Sequence, residues 1–145
     1  MYQIKRQYTF CAGHRIEGHP KCGRLHGHNY VVEVELISVD FIDVSGMLLD
    51  YGKLDEVVKP IVDKLDHRYL VSESNKDAGD MYANLAIQND HAYVLQERAS
   101  TAECIAQHIQ IAVKKGLADA DYDHYIDEIT VYVSESHRSL AMYAE

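Results

Sequence analysis

No stretch of this 145-residue sequence approaches the ~20 consecutive apolar residues of a membrane-spanning helix, which excludes a helical membrane protein. The N-terminus has no charged, apolar and small-residue succession of a signal peptide. Instead it opens into an alternating pattern from Tyr2 to Phe10, so a cytoplasmic protein is expected. Paired cysteines are also missing. Cys11, Cys22 and Cys104 are odd in number and contain no CxxC, which excludes a disulfide framework and a thiolate zinc knuckle and leaves any cysteine chemistry to a single thiol. There is no basic stripe either. With 14 Lys and Arg against 23 Asp and Glu the formal net charge is −9, so the surface repels a polyanion and nucleic acid is not an expected partner. A small phosphorylated substrate remains compatible, because a local group of cations can act inside an acidic protein. No linker, repeat or low-complexity tract divides the chain. Residues 1–145 read as one domain, long enough to bury roughly two-thirds of the surface its unfolded form exposes.

What is present is clear periodicity. Ile4, Tyr8 and Phe10 alternate on one face of a first strand that runs into His14, and Asn29 to Ser38 alternates apolar and β-branched residues as a second. Asp43, Ser45 and Gly46 supply turn chemistry, after which Met47 to Leu49 is expected to return as a hairpin partner. Asp50 is the expected N-cap of a helix whose stripe is Leu54, Val57, Val58, Ile61, Val62 and Leu65, with a kink or break at Pro60. Residues 72 to 99 read as a long polar loop, with a strand-like patch at Ala92 to Leu95 that suggests a hairpin. Ser100 to Glu103 matches a capping box, and Ile105, Ile109, Ala112 and Val113 give a second helix its buried face before Gly116 ends it. Ile129, Val131 and Val133 form a last strand, followed by a short tail from Leu140 to Tyr143. An α+β domain follows, with two helices on one face of an antiparallel sheet.

Nine histidines are present, and four lie between residues 14 and 28. His26 and His28 are two apart at the entry to the strongest strand, so they project from the same face. His14, at the end of the first strand, completes a set of three if the strands are neighbours. Three neutral imidazoles leave a tetrahedral zinc ion one open position, the catalytic arrangement. Cys22 lies four residues before His26 in an irregular segment beside Lys21 and Arg24. A cation nearby favours a thiolate and makes it a usable base. Cys11 and Cys104, in a strand end and a helix, read as core residues. Asp66 and His67 read as an ordinary pair in a helix C-terminal turn. Glu135, past the last alternating strand, is either a solvated carboxylate or a clamp for a heterocycle that presents adjacent N–H donors.

Taken in order, Phe10-Cys11-Ala12-Gly13-His14-Arg15, Cys22-Gly23-Arg24-Leu25-His26-Gly27-His28-Asn29-Tyr30, Leu65-Asp66-His67 and Glu135 resemble the 6-pyruvoyltetrahydropterin synthase superfamily. Gly46 to Tyr51, Thr101-Ala102-Glu103 and Glu135-Ser136 with Ala141 and Tyr143 extend the resemblance over nearly the whole chain. It implies a tunnelling fold, an antiparallel four-stranded sheet with two helices, assembled as a hexamer of two trimers with active sites between subunits. It further implies that His14, His26 and His28 bind Zn2+ and that Cys22 is the general base. Asp66 and His67 would be its relay partners and Glu135 the pterin anchor, with Thr101 and Glu103 as further substrate contacts. The Cys-x3-His-Gly-His spacing is similar to that of the 6-carboxytetrahydropterin synthases of queuosine biosynthesis. Their substrate is a pterin triphosphate, 7,8-dihydroneopterin triphosphate, and their products are 6-carboxy-5,6,7,8-tetrahydropterin, acetaldehyde and triphosphate. The segment 72–99 is longer and more polar than in shorter members, and Ser100 stands where proline is common. Triphosphate elimination to 6-pyruvoyltetrahydropterin, a non-catalytic zinc or pterin binding module, and a thiol redox protein built on Cys22 remain as alternatives.

Overall fold

The computed structural model describes residues 1–40, 42–76 and 79–145. Its elements are β1 (Tyr2–His14), β2 (His26–Ser38), α1 (Tyr51–Asp63), β3 (Arg68–Ser72), α2 (Glu73–Lys76), α3 (Met81–Gln88), β4 (Ala92–Leu95), α4 (Ala102–Asp119), β5 (Glu128–Ser136) and β6 (Ser139–Ala144). The strands form one six-stranded sheet in the order β4-β3-β1-β2-β5-β6. β1, β2, β5 and β6 pair antiparallel, whereas β3 runs parallel to both β1 and β4. The expected four-stranded antiparallel sheet is therefore an incomplete account. The tail is a sixth strand, folded back on β5, and β3 with β4 extends the other edge. β3 meets β1 only where Arg68 and Tyr69 face Ala12 and Gly13. β4 is the strand-like patch expected at Ala92 to Leu95, whereas the five residues of β3 carry too few alternations to reveal their period in sequence.

One apolar core lies between the sheet and two helices. Phe10 of β1, Tyr30, Val32, Val34 and Leu36 of β2, and Val131 and Val133 of β5 pack with Leu54, Val58 and Val62 of α1 and Ile105, Ile109, Val113 and Leu117 of α4. These are the period-two and 3.6-period positions of the sequence, and their burial out of water is the main stabilising term. The opposite sheet face is polar, with Lys5 3.5 Å from Glu33 and 3.4 Å from Glu35, and the Tyr132 hydroxyl donating to Glu35. That face also explains Cys11, which is exposed and not a core residue, because its odd position on β1 points it away from Phe10 and Ala12. Cys104, on the inner side of α4, is buried as expected.

Several local expectations change. Asp50 caps α1, accepting from the Gly52 N–H at 2.7 Å, but the helix runs through Pro60 to Asp63 without a break. Pro60 is exposed, and buried Leu54, Val58 and Val62 hold both sides of it to the core. Met47 to Leu49 forms no strand; Leu48 is buried at the foot of the core instead. The segment 72–99 is not a loop. It holds α2, α3 and β4, with Asp80 capping α3 by accepting from the Tyr82 and Ala83 N–H groups, while positions 77 and 78 of that reading lie outside the described residues. β4 pairs parallel to β3 and so is not half of a hairpin. The N-cap of α4 is Thr101, one residue later than the capping-box pattern, and its hydroxyl accepts from the Cys104 N–H.

Gly116 does not end α4, which continues to Asp119. A Cβ at this position would stand 2.6 Å from Cγ1 of Val57, so the glycine permits the close approach of α4 to α1. Replacing Gly116 with Ala gains about 1 kcal/mol of helix propensity, but overpacking against Val57 costs roughly 1–3 kcal/mol. Urea titration is expected to show a net loss of stability in Gly116→Ala, and a net gain when the same change is made in a Val57→Ala background.

Candidate active site

The three histidines continue the core stripe to the end of the sheet. On β1 the inward positions run Phe10, Ala12, His14; on β2 they run Tyr30, His28, His26, with His14 paired to His26 and Ala12 to His28. The ring centroid of His14 lies 4.6 Å from that of His26 and 5.1 Å from that of His28, and their ligating nitrogens lie within 4.8 Å of one another. His14 is only 1% exposed, while His26 and His28 are half-buried.

The tautomers follow from the backbone. Nδ1 of His14 is 2.6 Å from the Ser100 carbonyl and Nδ1 of His26 is 2.7 Å from the Arg24 carbonyl. A carbonyl only accepts, so each Nδ1 carries the proton and each Nε2 keeps its lone pair. Burial pushes the His14 imidazolium from its ordinary pKa of 6.5 down to about 4, against the Ser100 carbonyl and with help from His26 and His28, so the ring is neutral at pH 7. Nε2 of His14 and Nε2 of His28 are buried with no hydrogen-bond partner among the described residues. Buried acceptors of this kind are rare in folded proteins. Three clustered imidazoles, two of them braced by carbonyls and two with unpartnered, buried Nε2 atoms, fit a metal ion.

Beside them is a cavity of about 270 Å³ lined by His14, Cys22, Thr101, Glu103, Val133 and Glu135. The carboxylate of Glu135, within β5 and not beyond it, is half-buried, with Oε1 3.6 Å from Nε2 of His14 and Oε2 3.9 Å from Nε2 of His28. Thr101 and Glu103 reach the cavity because α4 starts there, directly after the Ser100 carbonyl that holds His14. Five of the expected site residues thus share one cavity, and His26 and His28 adjoin it through His14.

Asp66 and His67 do contact each other, with Nδ1 of His67 2.7 Å from Oδ2 of Asp66, but they do not line this cavity. They lie in the turn after α1, at the β1 edge. Oδ1 of Asp66 accepts from the Cys11 N–H at 2.8 Å, and the His67 N–H donates to the Cys11 carbonyl at 2.6 Å. The Cys11 N–H, followed by the His67 hydrogen bond, holds the Asp66 carboxyl below its usual range. His67 has a left-handed φ of 58°, and its side chain is 81% exposed. His67 thus presents to solvent an imidazole braced by a carboxylate, on a backbone conformation that non-glycine residues seldom adopt.

His19 and Ser100 were unassigned in the sequence. His19 belongs to the dense histidine run, which was its only signal; Ser100 acts through its carbonyl, which any residue could supply and no pattern reveals.

Comparisons with known proteins give the family and the fold. The family model described as 6-pyruvoyl tetrahydropterin synthase matches residues 3–145. A 6-carboxy-5,6,7,8-tetrahydropterin synthase from Rickettsia felis is 38% identical over 112 residues, 76% of this chain and 78% of its own length. Its namesake from Rickettsia typhi is 31% identical over 138 residues, covering 94% and 96%. Among solved structures, 6-pyruvoyl tetrahydropterin synthase from Plasmodium falciparum superposes with a TM-score of 0.81 at 22% identity, covering 99% of this chain and 97% of that one, a likeness that carries the fold alone. No helix among the described residues is long and apolar enough to cross a membrane.

Elemental analysis of purified protein is expected to find one metal ion per chain. His26→Ala is expected to lose most of it while keeping its circular dichroism spectrum, because His26 is half-buried at the sheet end and outside the apolar core.

Proposed function

As the chain belongs to the 6-pyruvoyl tetrahydropterin synthase family, we propose that it is a zinc-dependent 6-carboxy-5,6,7,8-tetrahydropterin synthase. Its substrates are 7,8-dihydroneopterin triphosphate and water, and its products are 6-carboxytetrahydropterin, acetaldehyde and triphosphate. The observation that carries the reading is the convergence of three ligand-ready imidazoles, the Cys22 thiol and the Glu135 carboxylate around one cavity. The names of the relatives at 31% and 38% identity favour the carboxy product over 6-pyruvoyltetrahydropterin, and product analysis by mass spectrometry separates the two.

His14, His26 and His28 would hold the zinc ion. Bound there, zinc would supply Lewis acidity that makes the hydroxyl and carbon-bound protons of the substrate side chain easier to remove. Cys22, on the same cavity, takes a proton from that side chain. Glu135 accepts from the ring N–H and exocyclic amine of the pterin, a two-point match that orients the side chain toward Cys22. Thr101 and Glu103 at the start of α4 line the remaining wall. Asp66 and His67, which lie away from the cavity of their own chain, would pass protons in the cavity of a neighbouring copy in a homo-oligomer with sites between subunits, such as a hexamer of two trimers.

Three outcomes test this reading. Cys22→Ala keeps its metal and loses turnover by a large factor; loss of metal in that variant would make the thiol a ligand instead. Glu135→Gln replaces an acceptor by a misplaced donor and weakens pterin binding by about 2 to 4 kcal/mol in isothermal titration, with metal content unchanged. Finally, inactive Cys22→Ala and inactive His67→Ala, co-expressed in equal amounts, regain roughly a quarter of parental turnover, since half the cavities keep Cys22 and half of those meet an intact His67. Failure to regain any activity places His67 in its own chain's site or outside the reaction.

A further inference from the structure

The segment 15–25 that carries Cys22 has no regular secondary structure, yet its backbone is densely bonded. The Ile16 N–H donates to the Cys22 carbonyl at 2.7 Å, the His19 N–H to the Ile16 carbonyl at 3.1 Å, and the Gly23 N–H to the His19 carbonyl at 2.9 Å. The Arg15 side chain closes the outside, its Nε donating to the Gly23 carbonyl at 3.0 Å. The exposed His19 side chain ties into the same turn. Nδ1 of His19 accepts from the Cys22 N–H at 2.9 Å and from the Lys21 N–H at 3.3 Å. The turn is so tight that a Cβ on Gly23 would stand 2.5 Å from the His19 carbonyl oxygen.

We propose that His19 is a positioning residue for Cys22, fixing the thiol at the cavity wall by accepting the Cys22 and Lys21 N–H groups on its Nδ1. A ring nitrogen that accepts two N–H groups has no proton of its own, so His19 is held as the Nε2–H tautomer. The ring also lines the cavity beside Cys22 and His14. Both backbone groups of Cys22 are thereby fixed, the N–H by His19 and the carbonyl by Ile16, which leaves its side chain only rotamer freedom. A proton-accepting group placed this way approaches its substrate without a conformational search. The catalytic consequence rests on the reading of Cys22 as the base; the positioning itself does not.

The test separates the two. Amide hydrogen exchange is followed by NMR in full-length protein, with the Val34 amide in the core strand β2 as an internal reference for folding. In His19→Ala the Cys22 amide is expected to exchange about tenfold faster while Val34 is unchanged. Metal content stays at the parental level, and kcat on 7,8-dihydroneopterin triphosphate falls about tenfold with little change in KM. His19→Asn restores an acceptor oxygen at the reach of Nδ1 and is expected to bring both exchange and kcat back to within about threefold of the parent. Should His19→Ala lose its fold, seen as fast Val34 exchange, His19→Gln serves in its place, since it moves the acceptor one bond outward. Unchanged Cys22 exchange in His19→Ala, or His19→Asn behaving like His19→Ala, overturns the proposal. A parent protein that does not turn over the pterin triphosphate removes the proposed function, while the exchange data still decide whether His19 holds the loop.

Discussion

Everything at the candidate site depends on the pairing register of β1 with β2. Strand side chains alternate faces with a period of two, so a slip of one residue would send His26 and His28 to the polar face while His14 stayed inside. The register is held by the core farther along the same ladder. Phe10 faces Tyr30, their rings stacked with centroids 4.7 Å apart, and Tyr8 faces Val32. Val32 and Val34 are in turn paired with Val133 and Val131 of β5, which aligns Glu135 with the same face. The hydrophobic burial that stabilises the fold is thus also what brings the imidazoles together. The three imidazoles need no separate device to meet.

The second constraint is the entry to α4. Ser100 is buried, its carbonyl receives the proton of His14 Nδ1, and its hydroxyl donates to the Arg15 carbonyl. The next residue, Thr101, caps the helix, and Thr101 and Glu103 face the cavity. One turn of chain therefore satisfies a buried imidazole, ends a connection, starts a helix and supplies the cavity wall. Moving this helix start by a residue would disturb His14 as well as the cavity wall.

The long elements were legible because burial imposes a period on them. β1, β2 and β5 alternate over many residues, and α1 and α4 carry stripes that the core confirms. β3, α2 and α3 were not legible, since elements of four to eight residues contain one or two periods and owe their order to neighbours. Asp80 shows the limit well: it caps α3 and also meets the Arg15 guanidinium at 3.2 Å, but a lone Asp in a polar segment reads equally as loop. At the site, spacing placed His26 and His28 on one strand face, and His14 joined them on the condition that the two strands pair, which they do. The positions of Thr101, Glu103 and Glu135 depend on tertiary packing and came through the family resemblance. For Asp66 and His67 the resemblance named a pair that does form, yet a single chain does not bring it to Cys22.

The geometry around Glu135 has an electrostatic consequence. By distance, Glu135 and His14 resemble an ion pair, at 3.6 Å. Burial keeps His14 neutral down to about pH 4, however, and its one proton is committed on Nδ1 to Ser100. A carboxylate oxygen and an imidazole lone pair then face each other, two acceptors with no proton between them. In a half-buried setting that contact is repulsive unless a cation lies at their junction. A cation held by the three imidazoles would offset that repulsion, and the Glu135 carboxylate already lines the cavity beside them. The histidine triad and the proposed pterin anchor are therefore electrostatic neighbours, and a cation that satisfied the histidines would also ease the contact with the half-buried carboxylate beside them.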